Sequence, residues 1–198
     1  PAQTYLRQAR GRRNLTVMTG TLAEQLLLEG NRAVGAILKG PGGRFSVKAR
    51  REVIVSMGTL RSPHLLQLSG IGAPSLLERL EIPVQVDLPG VGDNLRDHYS
   101  VRIAQRVQGI RTLNERTHGL SLVRELLHYA ATGKGLLTLG ASTCAAYARS
   151  APDLAHPDVV LSFAPGSFEP GTYDLERQGG MTIAVYHSFP ESRGHVRA

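Results

Sequence analysis

The stretch GTLRSPHLLQLSGIG, Gly58 to Gly72, decides how this chain folds, because it carries the signals for several consecutive elements. It follows the apolar run REVIVSM (Arg51–Met57). That run lacks the alternation of a half-exposed strand, so it predicts a strand buried on both faces, as in a parallel sheet. Gly58 is expected to end this strand at a point where a side chain would block something that approaches the backbone.

The rest of the stretch predicts a helix with defined ends. Ser62 can cap a helix, and Pro63 suits its first position, where the missing N–H would be unpaired anyway. Gly70 and Gly72 predict the end of the helix. A strand, a glycine turn and a helix amino terminus form a site suited to an anion or to the phosphate of a cofactor. The same features also fit a plain strand–turn–helix packing unit, and both interpretations stay open on the residues alone.

The residues before this stretch predict a β-meander. Alternation in NLTVMT (Asn14–Thr19) indicates a strand. TLAEQLLLE (Thr21–Glu29) fits helix or strand by periodicity, but a Gly-Asn turn and the β-rich run RAVGAILK (Arg32–Lys39) favour a hairpin. After the turn GPGG, the run RFSVKA (Arg44–Ala49) predicts another strand. The first half is therefore expected to be a meander followed by a parallel strand.

The second half predicts a different architecture. Alternating runs indicate four strands, at residues 101–108, 143–149, 158–165 and 181–189. An amphipathic helix is expected between them, with its apolar stripe around Leu122–Ala130. Long connections between the strands favour a mostly antiparallel sheet flanked by this helix, and the connection at residues 166–180 is expected to be mobile. The fold class is thus α+β / α/β in two domains, residues 1–90 and 91–198.

Composition limits the class of protein. The 198 residues are 41% hydrophobic and 20% charged, as in a soluble globular chain. No apolar run approaches the roughly 20 residues that span a bilayer, and the start at Pro1, without a signal-peptide layout, predicts a piece of a longer protein. Cys144 is the single cysteine, which favours a reducing compartment and a cytoplasmic location. The histidines show no paired metal-ligand spacing, so no metal site is expected.

The formal charge of +7 and the pI near 10.1 raise nucleic-acid binding as an alternative function. However, the arginines are spread along the chain, and the densest group, residues 7–13, has only Tyr5 as an aromatic neighbour. A groove that follows phosphates usually interleaves such charges with stacking aromatics. Solvated arginines are therefore the simpler interpretation, and we expect no nucleic-acid partner.

The stretch from Gly58 to Gly72 resembles the second signature of the glucose–methanol–choline (GMC) oxidoreductase family, which are flavoproteins that oxidise alcohols. The resemblance extends to both sides and covers nearly the whole chain. RNLTVMTG with RAVGAILKG is similar to the adenine-side strands of the family, and LPGVGDNLRDH to the loop after the signature. GKGLLTLGASTCAAYARS is similar to a segment of its substrate domain, and PESRGHVRA to its Ser-Arg-Gly strand.

The resemblance implies FAD as the cofactor and a choline-dehydrogenase-like reaction, in which a hydride passes from an alcohol carbon to the flavin N5. Ala23 aligns with the residue whose backbone contacts the adenine of FAD, and Gly58 and Thr59 align with positions beside the cofactor. Cys144 falls in a segment that helps to wall the substrate pocket, but the role that we favour for it is that of a small buried core thiol. Residues 1–90 would be part of the FAD-binding domain, and residues 91–198 an incomplete substrate-binding domain.

Two departures from the family pattern limit what this chain is expected to do. No Gly-x-Gly-x-x-Gly motif occurs in it, and the catalytic histidine of the family lies beyond the Ser-Arg-Gly strand. We therefore assign no catalytic residue here and expect His98 to order a loop. The 198-residue chain is expected to be a central fragment that is inactive alone, and that self-associates or binds the remaining parts of its parent. A non-catalytic scaffold protein is the other alternative.

Overall fold

A computed structural model describes residues 2–140, 142–172 and 174–198. The chain divides into two compact units. The first unit runs to Leu95 and also contains Arg193–Ala198, and the second unit is Arg96–Ser192. Among the described residues, no helix is long and apolar enough to cross a membrane.

The first unit contains the predicted β-meander. Its three strands are antiparallel neighbours in chain order, β1 (Leu22–Glu29), β2 (Arg32–Gly40) and β3 (Gly43–Lys48). This confirms the hairpin interpretation of the first two strands. Gly35 has a packing reason to be glycine, because a Cβ there would lie 2.2 Å from the carbonyl oxygen of Val47 on β3.

Two predicted strands of this unit do not form. No strand forms at Asn14–Thr19 or at Arg51–Met57, although alternate side chains of Arg51–Met57 pack against the core. Val53, Val55 and Met57 pack against the core cluster, while Ile54 between them is 78% exposed. A strand requires a hydrogen-bonded neighbour, and no described segment pairs with these residues. Only one of their faces is therefore buried, and the prediction of a strand covered on both faces is wrong for this chain.

Helix α1 (Arg7–Ala9) is a single turn, and helix α2 (Gly58–Leu68) follows the extended segment. Helix α2 begins four residues before the predicted Ser62 cap, so Gly58 starts the helix and does not end a strand. The Ser62 hydroxyl instead accepts a hydrogen bond from the amide of Met57, at 3.1 Å. The predicted end is confirmed, because Ser69 is the C-cap and Gly70 follows with φ +78°.

A short βαβ unit completes the first unit. Strand β4 (Ile71–Gly72) pairs in parallel with β5 (Val86–Asp87), and α3 (Pro74–Arg79) connects them. The parallel pairing therefore occurs after α2 rather than before it. The buried core lies between the meander and α2, and its members are Leu26, Leu65, Ile71 and Val91.

Gln67 joins α2 to two distant segments of the same unit. Its side chain is fully buried, and its Nε2 donates hydrogen bonds to the carbonyl oxygens of Val91 (3.1 Å) and Val196 (3.0 Å). Its Oε1 accepts a hydrogen bond from the amide of Ala198 at 2.7 Å. One amide side chain thus holds the carboxy-terminal residues against the first unit.

The second unit contains the predicted antiparallel sheet, which is confirmed. Its four strands lie in the order β6-β9-β8-β7, and every neighbouring pair is antiparallel. Their bounds are β6 (Ser100–Arg106), β7 (Cys144–Ala148), β8 (Val159–Ala164) and β9 (Gly180–His187).

Helix α5 (Gly119–Thr132) forms where the amphipathic pattern predicts it and ends at Gly133, with φ +63°. It does not pack as a buried layer on the sheet, since none of its residues is buried and Leu120 is 88% exposed. Its neighbours are α4 (Leu113–Arg116) and a 3-10 turn at Leu136–Thr138.

The connection at residues 166–180, predicted to be mobile, is anchored by one buried side chain. Asn114 of α4 donates hydrogen bonds from Nδ2 to the carbonyl oxygens of Ser167 and Glu176, both at 2.8 Å. Its Oδ1 accepts a hydrogen bond from the amide of Ser167 at 3.0 Å. The sequence pattern missed this anchor, because Asn114 lies far from the connection along the chain.

Candidate functional site

Ala23 lines an open pocket of about 370 Å³ in the first unit. The pocket forms where the meander meets α2, because the two elements share a core beneath it. Residues from the three meander strands and from α2 surround it. They are Leu22, Ala23, Glu24, Gln25, Ile37, Arg44, Arg61, His64 and Leu68.

The pocket combines an apolar wall with a polar rim. Leu22, Ala23 and Ile37 supply aliphatic surface from β1 and β2. On the rim, Arg44 donates a hydrogen bond from Nε to Oε2 of Glu24 at 2.5 Å, which links β3 to β1. An apolar wall with a few polar groups at its rim is the usual composition of a small-molecule pocket.

Two of the rim residues were missed by the sequence reasoning, although they lie within the opening stretch. Arg61 and His64 are three residues apart on α2, and Leu68 follows four residues later. Residues three and four apart share one face of a helix, so this face of α2 looks towards Ala23. The spacing could have indicated a common surface, but only the packing of α2 against β1 shows what that surface meets.

Gly58 and Thr59 lie at the first turn of α2, outside the residues that line this pocket. Gly58 has φ +84°, a conformation that favours glycine, and a Cβ at this position would meet no atom within 4 Å. The backbone at this turn is therefore open, and its first N–H groups have no side-chain cap. Such N–H groups can donate to an anion.

Cys144 lies in the second unit and is exposed, so the interpretation as a buried core thiol is wrong. It pairs with Phe163 across the β7–β8 ladder, which places both on one face of the sheet. A cavity of about 310 Å³ lies against the other face, where Ser162, Thr182 and Ala184 line it. Cys144 is not among the lining residues of that cavity.

His98 is held within the second unit, as expected for a residue that orders a loop. Its Nε2 lies 3.2 Å from the carbonyl oxygen of Ser188, and its ring centroid is 4.9 Å from that of Tyr186. Among residues 2–140, 142–172 and 174–198, no group of three or more histidine, cysteine or acidic side chains could hold a metal ion.

With this geometry established, comparison with known proteins assigns the class. The family model described as GMC oxidoreductase matches residues 1–100. Two solved oxidases share the fold. Pyridoxine 4-oxidase from Mesorbium loti matches with a TM-score of 0.72 at 27% identity, over 99% of this chain and 35% of that one. A variant of Aspergillus oryzae RIB40 formate oxidase matches with a TM-score of 0.82 at 22% identity, over 96% of this chain and 38% of that one.

The chain belongs to the GMC oxidoreductase family, as the resemblance predicted. It is 34% identical over 197 residues to the oxygen-dependent choline dehydrogenase of Pectobacterium carotovorum subsp. carotovorum. That alignment covers 99% of this chain and 35% of the relative, so the chain spans about a third of the length of the curated relatives it matches.

Proposed function

We propose that this chain is part of an FAD-dependent oxidoreductase that acts on the CH–OH group of a small alcohol, in the manner of a choline dehydrogenase. The observation that supports the proposal is the pocket at Ala23, the residue that the resemblance to this family assigns as its adenine contact. When FAD is bound, its flavin accepts the hydride from the alcohol carbon, while the protein supplies binding and orientation.

The residues present suit part of the cofactor. Ala23 would leave room for the adenine ring beside Leu22 and Ile37, and its backbone would supply a donor and an acceptor at the ring edge. Arg61 would add positive charge near the phosphates. The open turn at Gly58 and Thr59 would offer uncapped N–H groups to another polar part of the cofactor.

The remaining roles follow the same proposal. Residues 1–90, which lie in the first unit, would form part of the FAD-binding domain. Residues 91–198 would form part of the substrate-binding domain, in which Cys144 borders the substrate pocket, although 91–95 and 193–198 lie in the first unit. None of the 198 residues is assigned as the catalytic base. The single cysteine supports a cytoplasmic location. The electron acceptor is left open, and the remaining parts of the parent protein, or a second copy, are the proposed macromolecular partners.

The test uses the complete gene product, purified and examined for the visible absorption of bound flavin. Choline and simple alcohols are then added with a dye acceptor, and reduction of the dye is followed. Ala23→Leu should fill the adenine pocket and weaken FAD binding by about tenfold or more, because overpacking a fitted site costs about 1–3 kcal/mol. Ala33→Leu makes the same change on β2 outside the pocket, and should leave FAD binding unchanged.

A folded gene product that binds no flavin would overturn the proposal in favour of a non-catalytic scaffold. If the gene product binds flavin but no alcohol reduces the dye, the proposed cofactor site stands and the proposed alcohol substrate is refuted. If Ala33→Leu weakened FAD binding as much as Ala23→Leu did, the pocket at Ala23 would not be the adenine site.

A further inference from the structure

We propose that the second unit carries an anion site for a phosphate group, in a pocket formed by Arg111, Arg116, Arg124 and Ser121. The pocket measures about 260 Å³ and lies beside α4 and α5. Among the described residues that line it, Glu125 is the only acid. This site is separate from the pocket at Ala23, and its occupation does not depend on the flavin chemistry proposed above.

The local structure brings these residues together for simple reasons. Ser121, Arg124 and Glu125 lie three and four residues apart on α5, so they share one face of the helix. Arg116 is the last residue of α4 and reaches this face. Arg111 directly precedes Thr112, the residue that caps α4.

Arg116, one of the three arginines of the pocket, is held by the carboxylate of Glu125. Arg116 donates two hydrogen bonds to Oε1 of Glu125, from Nε at 3.1 Å and from Nη2 at 2.6 Å. The side-chain hydrogen bond from Arg116 lowers the pKa of Glu125, so the carboxylate stays ionised at neutral pH. The Arg116–Glu125 pair is therefore electrically balanced, and it forms a rigid wall of the pocket.

The other two arginines leave an uncompensated charge. Within the described part of the chain, no carboxylate forms an ion pair with Arg111 or Arg124. Glu115 is close enough to Arg111 to interact electrostatically, but its Oε2 accepts hydrogen bonds from the amide and hydroxyl of Thr112, at 2.8 and 2.6 Å. Glu115 is also not among the lining residues. The lining side chains thus sum to three positive charges and one negative charge, a net +2.

This arrangement matches a phosphate dianion in charge and in the type of donor groups that it supplies. Guanidinium groups present paired N–H donors that suit phosphate oxygens, and the Ser121 hydroxyl adds a further donor. None of the described residues that line the pocket is aromatic, so a stacked base is not part of the inferred ligand. The ligand class is therefore a free phosphate ion or the phosphate group of a phosphorylated small molecule.

The experiment measures binding of inorganic phosphate to the complete gene product by isothermal titration calorimetry, with sodium chloride adjusted to keep ionic strength constant. Saturable binding is expected at that ionic strength. A second series at a higher sodium chloride concentration should give a higher Kd, because the site is open to solvent and its charges are screened. Arg124→Gln should raise the Kd about tenfold or more, since a hydrogen bond to a charged group contributes about that factor. Arg111→Gln should act in the same direction.

Arg177→Gln is the matched control, because Arg177 is an exposed arginine of the same unit outside the pocket. It should leave the Kd unchanged, and far-UV circular dichroism confirms that each variant is folded. Glycerol phosphate forms a second arm. If glycerol phosphate binds more tightly than inorganic phosphate, the ligand is a phosphorylated small molecule. If the two bind equally, the ligand is the free ion. The proposal is overturned if phosphate shows no saturable binding, or if Arg177→Gln raises the Kd as much as Arg124→Gln does.

Discussion

Replacing Gln67 by leucine should release the carboxy-terminal segment from the first unit. The change retains most of the side-chain volume but removes both Nε2 and Oε1. Three hydrogen bonds are lost, to the carbonyls of Val91 and Val196 and from the amide of Ala198. All three connect α2 to segments that are distant from it along the chain.

The size of the effect follows from the burial of these partners. A typical hydrogen bond contributes about 1 kcal/mol net, and a buried partner left unpaired costs about 1–3 kcal/mol. Val91 is buried, while Val196 and Ala198 are partly exposed and can regain water. We therefore expect the free energy of local opening to fall by about 3 kcal/mol, which corresponds to roughly 100-fold faster opening-dependent amide exchange.

The measurement is hydrogen–deuterium exchange of peptides covering residues 88–93 and 193–198, read by mass spectrometry on the complete gene product. Gln85→Leu is the control, because Gln85 is an exposed glutamine of the same unit. It should change exchange in these peptides little, as surface substitutions usually fall within about 0.5 kcal/mol. Unchanged exchange in Gln67→Leu, with the protein folded, would refute the role of this side chain.

Three further predictions follow from the structure. Gly58→Ala should lower the free energy of unfolding of the first unit by about 1 kcal/mol, because residue 58 has a φ of +84°. A steric clash does not contribute, since a Cβ there meets no atom within 4 Å. Urea denaturation of the variant and the wild type measures the difference. The pKa of Asp158 is lowered because the hydroxyl and the amide of Ser150 donate hydrogen bonds to its carboxylate. These bonds therefore contribute their full stabilisation above the pKa of Asp158 in the unfolded chain, near pH 4. The stabilisation is lost as the pH falls through the lower pKa of Asp158 in the folded chain. Asp158→Asn should remove this acid-dependent loss in thermal melts below about pH 4, and an unchanged pH profile would contradict the assignment. The 198-residue chain produced alone should retain no FAD after gel filtration, because it has no Gly-x-Gly-x-x-Gly loop to hold the pyrophosphate; co-elution of flavin with the chain would show that the loop is dispensable.

The local pattern was a sufficient guide where an element is stabilised by its own residues. The hairpin of β1 and β2 follows from a Gly-Asn turn and the β-rich run after it, and the ends of α2 and α5 lie at glycines that leave the helical conformation. The family signature is also local, because it is a run of adjacent residues. The family, the mixed fold class and the antiparallel second sheet could therefore all be predicted before any coordinates.

Contacts between distant residues decided the rest. REVIVSM has the composition of a buried strand, yet strand formation depends on a neighbour, and no described segment pairs with it. The pocket at Ala23 exists only because α2 packs on the meander and brings Arg61 and His64 to β1. Likewise, the arginine pocket of the second unit depends on α4 meeting α5. The sequence by itself determined the family and those elements that its local signals stabilise, whereas the sites required the tertiary structure, because a site is a set of distances between residues that the chain order does not specify.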